Sequence, residues 1–172
     1  MAKQTDPRVL ARSPCHLLKR ASQFAASIYM DQVGRTGLTQ RQFAVLMAAE
    51  RNDGASQTEL VRLTGIDRST LADLVARLMA QGYVQAKRGR EDGRMNAVRL
   101  TAVGRRALRT AEPGAGEADK LVIAAVPAKH RKGLIEGLMC LASQLEAKEL
   151  EAEKKAPTAR KKSPAPRKKA GA

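Results

Sequence analysis

Apolar residues recur along this chain mostly at intervals of three and four, the repeat of helices that bury one face. Leu17, Leu18, Ala21, Phe24, Ala25 and Ile28 mark a first stripe, from Pro14, a residue suited to a first helical turn, to about Gln32. Gly34 to Gly37 reads as a loop. Thr39 with Gln42 forms a capping box, and Phe43, Leu46 and Met47 give the next buried face. Asn52-Asp53-Gly54 reads as a turn. Ser56 with Glu59 forms a second capping box, followed by Leu60 and Leu63 on one side. Thr64-Gly65-Ile66 then breaks the run, and Gly65 can take the positive φ that a tight turn needs. Asp67 suits the N-cap of a further helix, along which Leu71, Leu74, Val75, Leu78 and Met79 form a stripe. Gly82 ends it, so the rod from Asp67 to Gln81 would be roughly 22 Å long at 1.5 Å per residue.

Beyond Gly82 the period changes to two. Val84 and Ala86 lead into a glycine-containing tip, and Val98 and Leu100 return from it, the pattern of a β-hairpin. Thr101 caps another helix with Val103, Ala107 and Leu108 inside. Glu112-Pro113-Gly114-Ala115-Gly116 interrupts that helix, which predicts either a kink with resumption to about Ala125 or a full break. Pro127 starts a last helix. There Leu134, Leu138, Leu141 and Leu145 make a coiled-coil-like seam, which needs a second chain or the rest of this one to cover it. Residues 1–13 are polar and aperiodic and read as a loose arm.

Two short helices around a tight turn, then a hairpin, describe a winged helix-turn-helix. In such units the N-terminal residues of the second helix meet base edges. Arg68, Ser69, Thr70, Asp73 and Arg77 lie near that start or on the outer face, with Ser56 and Gln57 opening the helix before it. Arg can read guanine, and Ser or Thr can bond bases or phosphates. The hairpin tip carries Lys87, Arg88, Arg90 and Arg94 against Glu91 and Asp92, net +2. A basic hairpin suits an adjacent minor groove, and Asp92 is placed to brace Arg94. The alternative is a solvated helix face and an ordinary charged turn.

The segments ELVRLTGIDRSTLADLVARLMAQGYV and REDGRMNAVRLTAVGR together resemble the MarR family of bacterial transcription regulators. The wing signature of that family is matched by Asp92-Gly93-Arg94 and Val98-Arg99-Leu100-Thr101, and the resemblance spans roughly 14–150. It implies a mainly α fold with a small β-wing, a winged helix-turn-helix plus a helical dimerisation region. The parts would be dimerisation helices at 14–37 and 102–152, a DNA-binding lobe at 38–101 and a basic tail at 153–172. It implies a homodimer on pseudo-palindromic double-stranded DNA, usually a repressor released by a small molecule or an oxidant.

Composition narrows the rest. The formal charge of +15 calls for an anionic partner, although Lys154–Ala172 alone holds eight cations and no acids, leaving +7 for 1–153. That tail has no apolar residue larger than alanine or proline and cannot fold alone; it would add phosphate contacts of no sequence preference. A nucleoid-type protein driven by the tail is therefore the second reading. Four aromatic residues and no Trp offer too few stacking platforms for single-stranded nucleic acid. Cys15 and Cys140 make no disulfide framework, and no signal peptide or membrane-length apolar run is present, so a cytoplasmic location is expected. No metal-ligand spacing, phosphate-cradling loop or triad stands out; no cofactor and no enzymatic activity are expected.

The family resemblance also directs attention to Pro14–Ala21. It implies that the start of the first long helix lines a cleft, and it is similar to members controlling breakdown of aromatic acids or their coenzyme A esters. His16 and Arg20 would hold a carboxylate or phosphate, with Leu17, Phe24 and Met47 as an apolar wall. A solvated cationic face is the alternative. A rival switch is a reactive thiol at Cys15: peroxide-sensing members place one there beside tyrosines, and Tyr29 is available. Gln40 stands where those sensors have a second tyrosine, which weakens the thiol reading.

Overall fold

A computed structural model describes residues 7–88 and 96–155. Its elements run α1 (Pro7–Ala11), α2 (Pro14–Val33), a 3-10 turn (Gly34–Thr36), α3 (Gln40–Arg51), α4 (Gln57–Thr64), α5 (Arg68–Ala80), β1 (Val84–Arg88), β2 (Asn96–Leu100), α6 (Ala102–Ala124) and α7 (Ala128–Lys155). The fold is mainly helical with one small antiparallel hairpin. Both capping boxes form. Thr39 Oγ1 accepts from the Gln42 N–H at 3.3 Å while Gln42 Oε1 accepts from the Thr39 N–H at 2.9 Å. Glu59 Oε2 accepts from the Ser56 N–H at 2.7 Å, and Ser56 Oγ accepts from the Glu59 N–H at 3.2 Å.

The core gathers Leu38, Val45, Leu46, Leu60, Leu71, Val75, Leu78, Val98 and Leu108 around α3. Strand β1 pairs with β2 in the register Val84↔Leu100 and Ala86↔Val98, which turns Val84, Val98 and Leu100 inward. The segment before α4 joins this sheet, since the Val98 N–H donates to the Ala55 carbonyl at 2.9 Å. Thr101 locks the wing to α6. Its Oγ1 donates to the Gly82 carbonyl at 2.6 Å and accepts from the Gly104 N–H at 3.0 Å.

Four expectations need correcting. First, of the two readings at Pro113 the full break is overturned and the continuation to about Ala125 is borne out, since α6 is a single helix over Ala102–Ala124. Proline removes one helix hydrogen bond, a cost of about 3 kcal/mol in an interior. The opposing gain is close packing on α2, where Ala111, Ala115 and Ala118 are buried. A Cβ on Gly114 would stand 2.7 Å from the Gln32 carbonyl oxygen, so the glycine next to Pro113 permits the approach. Second, the buried face of α2 is Tyr29 and Val33, while Leu17, Leu18 and Phe24 are exposed. Third, Met79 and Val103 lie exposed rather than inside. Fourth, the arm contains the one-turn helix α1.

Helix α7 is not among the elements that pack substantially on others. Its seam residues Leu134, Leu138 and Leu141 and neighbouring Ile135 and Met139 are exposed. Among the described residues the seam is therefore left uncovered by the rest of this chain. The α6–α7 junction is tied by Arg131, whose Nε donates to the Val126 carbonyl at 2.9 Å and Nη2 to that of Ala124 at 3.2 Å.

Candidate nucleic-acid interface and ligand cavity

The α4–turn–α5 unit is set by short-range chemistry. Gly65 sits at φ 64°, in the left-handed region, so the chain reverses between the helices without a Cβ penalty. Ile66 is buried and pins the turn to the core. Asp67 then caps α5, its Oδ1 accepting from the Thr70 N–H at 3.0 Å and the Ser69 hydroxyl at 2.7 Å. Hydrogen bonds from Thr70, with further ones from Ser69, hold the Asp67 carboxyl well below the usual carboxylate range.

With Leu71, Leu74, Val75 and Leu78 turned inward, α5 presents Arg68, Ser69, Asp73 and Arg77 outward. Thr70 is half-buried. Arg68 Nη2 donates to Thr58 Oγ1 at 3.1 Å, so α4 braces the guanidinium at the start of α5 and leaves its other donors free. Gln57 and Thr58 stand half-buried at the opening of α4. Ser56 does not belong on this surface: it is buried, and its hydroxyl donates to Glu59 Oε2 at 2.9 Å. Ala72 and Ala76, which the stripe analysis passed over, are exposed between the polar side chains. Small apolar residues there allow close approach and can meet a thymine methyl. Their signal was the i, i+4 spacing from Arg68.

Strands β1 and β2 rise beside this face. Arg90, Asp92 and Arg94 lie outside the described residues, and for Lys87 and Arg88 the backbone alone is described. The wing base is anchored by an ion pair, Arg99 Nη1 to Asp53 Oδ2 at 3.6 Å, which crosses Gly54. Asp53 was read only as part of a turn and Arg99 only as part of the wing signature; their pairing leaves no local pattern in the sequence.

A cavity of about 440 Å³ opens between the end of α2, the outer face of α3, the end of α4 and α6. Tyr29 and Ala115 are its buried lining; Phe43, Met47 and Ala48 are half-buried walls; Gln40, Arg51, Asn52 and Asp119 form an exposed rim. The Tyr29 hydroxyl is sealed from solvent and has no hydrogen-bond partner among the described residues. Burial pushes its pKa up to about 12. Tyr29 and Phe43 stack obliquely, ring centroids 6.2 Å apart.

Of the ligand residues expected from the sequence, Met47 lines this cavity. His16, Leu17, Arg20 and Phe24 do not; they sit on earlier turns of α2, where Leu17 and Phe24 are exposed. Cys15 is also exposed. It stands fourteen residues before Tyr29 on the same helix, about 21 Å along the axis, so these two cannot bond within one chain.

Comparison with known proteins agrees with this arrangement. A profile described as the MarR family matches residues 36–95, from the α2–α3 turn into the wing. The HTH-type transcriptional repressor NicR of Pseudomonas putida is 32% identical over 120 residues, covering 70% of this chain and 76% of NicR. Among solved structures, Bordetella bronchiseptica BpsR, whose DNA binding is regulated by 6-hydroxynicotinic acid, superposes with a TM-score of 0.70 at 27% identity, covering 77% of this chain and 94% of BpsR. CouR bound to a 23-mer DNA duplex superposes at 0.71 with 25% identity, covering 81% and 99%. CouR of Rhodococcus jostii RHA1 bound to p-coumaroyl-CoA gives 0.65 and 25%, covering 77% and 94%. Helix-turn-helix, wing and relatives converge, and this chain belongs to the MarR family of transcriptional regulators.

Proposed function

We propose that the protein is a homodimeric repressor that binds a pseudo-palindromic operator and is released by a small aromatic acid or its coenzyme A thioester. The observation that carries the reading is the pair of surfaces one chain leaves open. One is the polar face of α5, with Gln57, Arg68, Ser69, Thr70, Asp73 and Arg77. The other is the uncovered apolar seam of α7, together with Leu17 and Leu18 on α2. Interlocking two such seams buries apolar area from both chains at once. It would also hold two α5 helices apart, as needed to enter major grooves one helical turn apart on a duplex. The wing residues Lys87, Arg88, Arg90, Asp92 and Arg94 would follow the backbone or the minor groove.

The cavity supports the release step. It lies between the DNA-reading lobe (α3, α4) and the base (α2, α6), so a ligand wedged there changes the angle between them. BpsR and CouR show that relatives with this fold take an aromatic acid and an aromatic acyl-CoA. The test is sedimentation plus fluorescence anisotropy on the duplex upstream of the chain's own gene, against a scrambled duplex. A dimer should bind the former preferentially, and Arg68→Ala should weaken it by about 1–3 kcal/mol. A monomer, or equal affinity for both duplexes, overturns the reading.

The tail supports a second reading, since its eight cations concentrate charge where no fold is required. Deleting 154–172 separates the two. Specific binding should survive and only the sequence-independent component should fall. Loss of both together favours a nucleoid-type protein.

A further inference from the structure

Arg68 opens α5 and is joined across the helix-turn-helix to Thr58, in the first turn of α4, by the Nη2–Oγ1 bond of 3.1 Å. Both ends of this bond stand on fixed backbone. The Ser56–Glu59 capping box sets the first turn of α4, and Asp67 caps the first turn of α5. Thr58 is half-buried, whereas Arg68 is exposed. The place is an unfavourable one for a cation, because the first turns of two helices meet there and their N-terminal N–H groups attract anions. Among the described residues no acid pairs with Arg68. Asp67 beside it is committed to the cap, its Oδ1 accepting from Thr70 and Ser69. A cation that is held in place and yet left exposed at such a point is suited to an acceptor arriving from outside.

Guanidinium geometry says which acceptor. The planar group offers two bidentate edges, Nε–Nη2 and Nη1–Nη2, and Nη2 belongs to both. With one Nη2 hydrogen given to Thr58, one edge is closed and the other stays whole. The O6 and N7 of guanine take one such edge in the major groove. We propose that Thr58 is the positioning residue for base reading by Arg68, aiming its remaining edge at one guanine and so setting how strictly the operator is read. This rests on taking α5 as the helix that enters the major groove. At an A·T pair the adenine amino group presents a donor to a fixed donor edge, and the brace keeps the arginine from turning to a phosphate instead. Without the brace, the side chain must be ordered on meeting guanine, and at A·T it can turn away. The loss therefore falls on discrimination rather than on overall hold.

The probe is the duplex upstream of the chain's own gene, with variants in which each of its G·C pairs is changed singly to A·T. Affinities of the full-length protein are read by fluorescence anisotropy. One G·C change in each half-site should cost wild type about tenfold and cost Arg68→Ala nothing, which marks the base that Arg68 reads. At that position Thr58→Val, which keeps the shape and removes the acceptor, should shrink the penalty by about three- to tenfold, the factor for ordering one long side chain. Thr58→Ser, which keeps the hydroxyl, should restore it. Penalties at other positions and binding to a scrambled duplex should not move, whereas a folding defect would weaken every duplex alike. Wild-type discrimination in Thr58→Val, or a uniform loss, overturns the positioning role and leaves Arg68 as a base reader. If no G·C change becomes neutral in Arg68→Ala, α5 does not read bases through Arg68, and the proposal falls with that reading.

Discussion

Gly104 lies in the first turn of α6, directly beneath the wing. Two effects of Gly104→Ala oppose each other, and the structure decides the sign. In an exposed helix, alanine is better than glycine by about 1 kcal/mol. At this position the new carbon would run into the Tyr83 carbonyl group, 2.8 Å from its carbon and closer still to its oxygen. Comfortable separation is about 3.5–4.0 Å, so α6 must withdraw by on the order of 1 Å. That movement strains three hydrogen bonds: Thr101 N–H to the Tyr83 carbonyl at 3.0 Å, Thr101 hydroxyl to the Gly82 carbonyl at 2.6 Å, and Gly104 N–H to Thr101 Oγ1 at 3.0 Å. At about 0.5–1.5 kcal/mol each, their weakening plus the overpacking outweighs the helix gain, for a net loss of about 1–3 kcal/mol. The measurement is urea unfolding followed by circular dichroism at fixed protein concentration. Gly116→Ala on the same helix is the control, because its Cβ would meet nothing within 4 Å, and it should stabilise. If Gly104→Ala proves as stable as wild type, the wing–α6 joint is looser than described and the reasoning fails.

Other consequences are testable alongside. Disrupting the Asp53–Arg99 pair by Arg99→Ala should cost at most about 1 kcal/mol, since both groups are largely exposed, and a double-mutant cycle with Asp53→Ala should show measurable coupling; zero coupling would mean the wing base is held by Ala55–Val98 pairing alone. Because the Tyr29 pKa is raised from 10.0 to about 12, its contribution is fully present below pH 10 and is lost as pH rises through 12. Thermal melts should therefore show an alkaline decline that Tyr29→Phe lacks, and identical declines would place the tyrosine in water. The Asp67 carboxyl shifts the other way, so its cap is complete above its unfolded value of 3.8 and is lost as pH falls below it. The melting-temperature gap between wild type and Asp67→Asn should narrow in acid, and a gap independent of pH would refute the capping role.

Much of the fold was legible in sequence because its signals are short-range. Capping boxes at Thr39 and Ser56, the turn glycine at 65 and the cap at Asp67 each act within about four residues, and all form as read. The period-two run around Val84 and Val98 likewise predicts its own hairpin. Periodicity was less reliable where two faces of one helix are both apolar. In α2 it selected Leu17 and Phe24, yet Tyr29 and Val33 are the buried residues. Amphipathic spacing marks an apolar face but not what packs on it, and the exposed half of α2 resembles α7 in having apolar residues that the described chain leaves uncovered.

Sequence alone determined the DNA-reading unit of this protein, because helix, turn, helix and hairpin are encoded in one contiguous stretch. Only tertiary structure decided what happens between distant segments. It carried α6 through Pro113, because packing of small residues on α2 outweighs one missing hydrogen bond. It placed Gly104 under the Tyr83 carbonyl and Arg99 beside Asp53. It also assembled a cavity from four helices beside the buried Tyr29. Such contacts depend on how whole elements lie against each other, a property that no window of neighbouring residues contains.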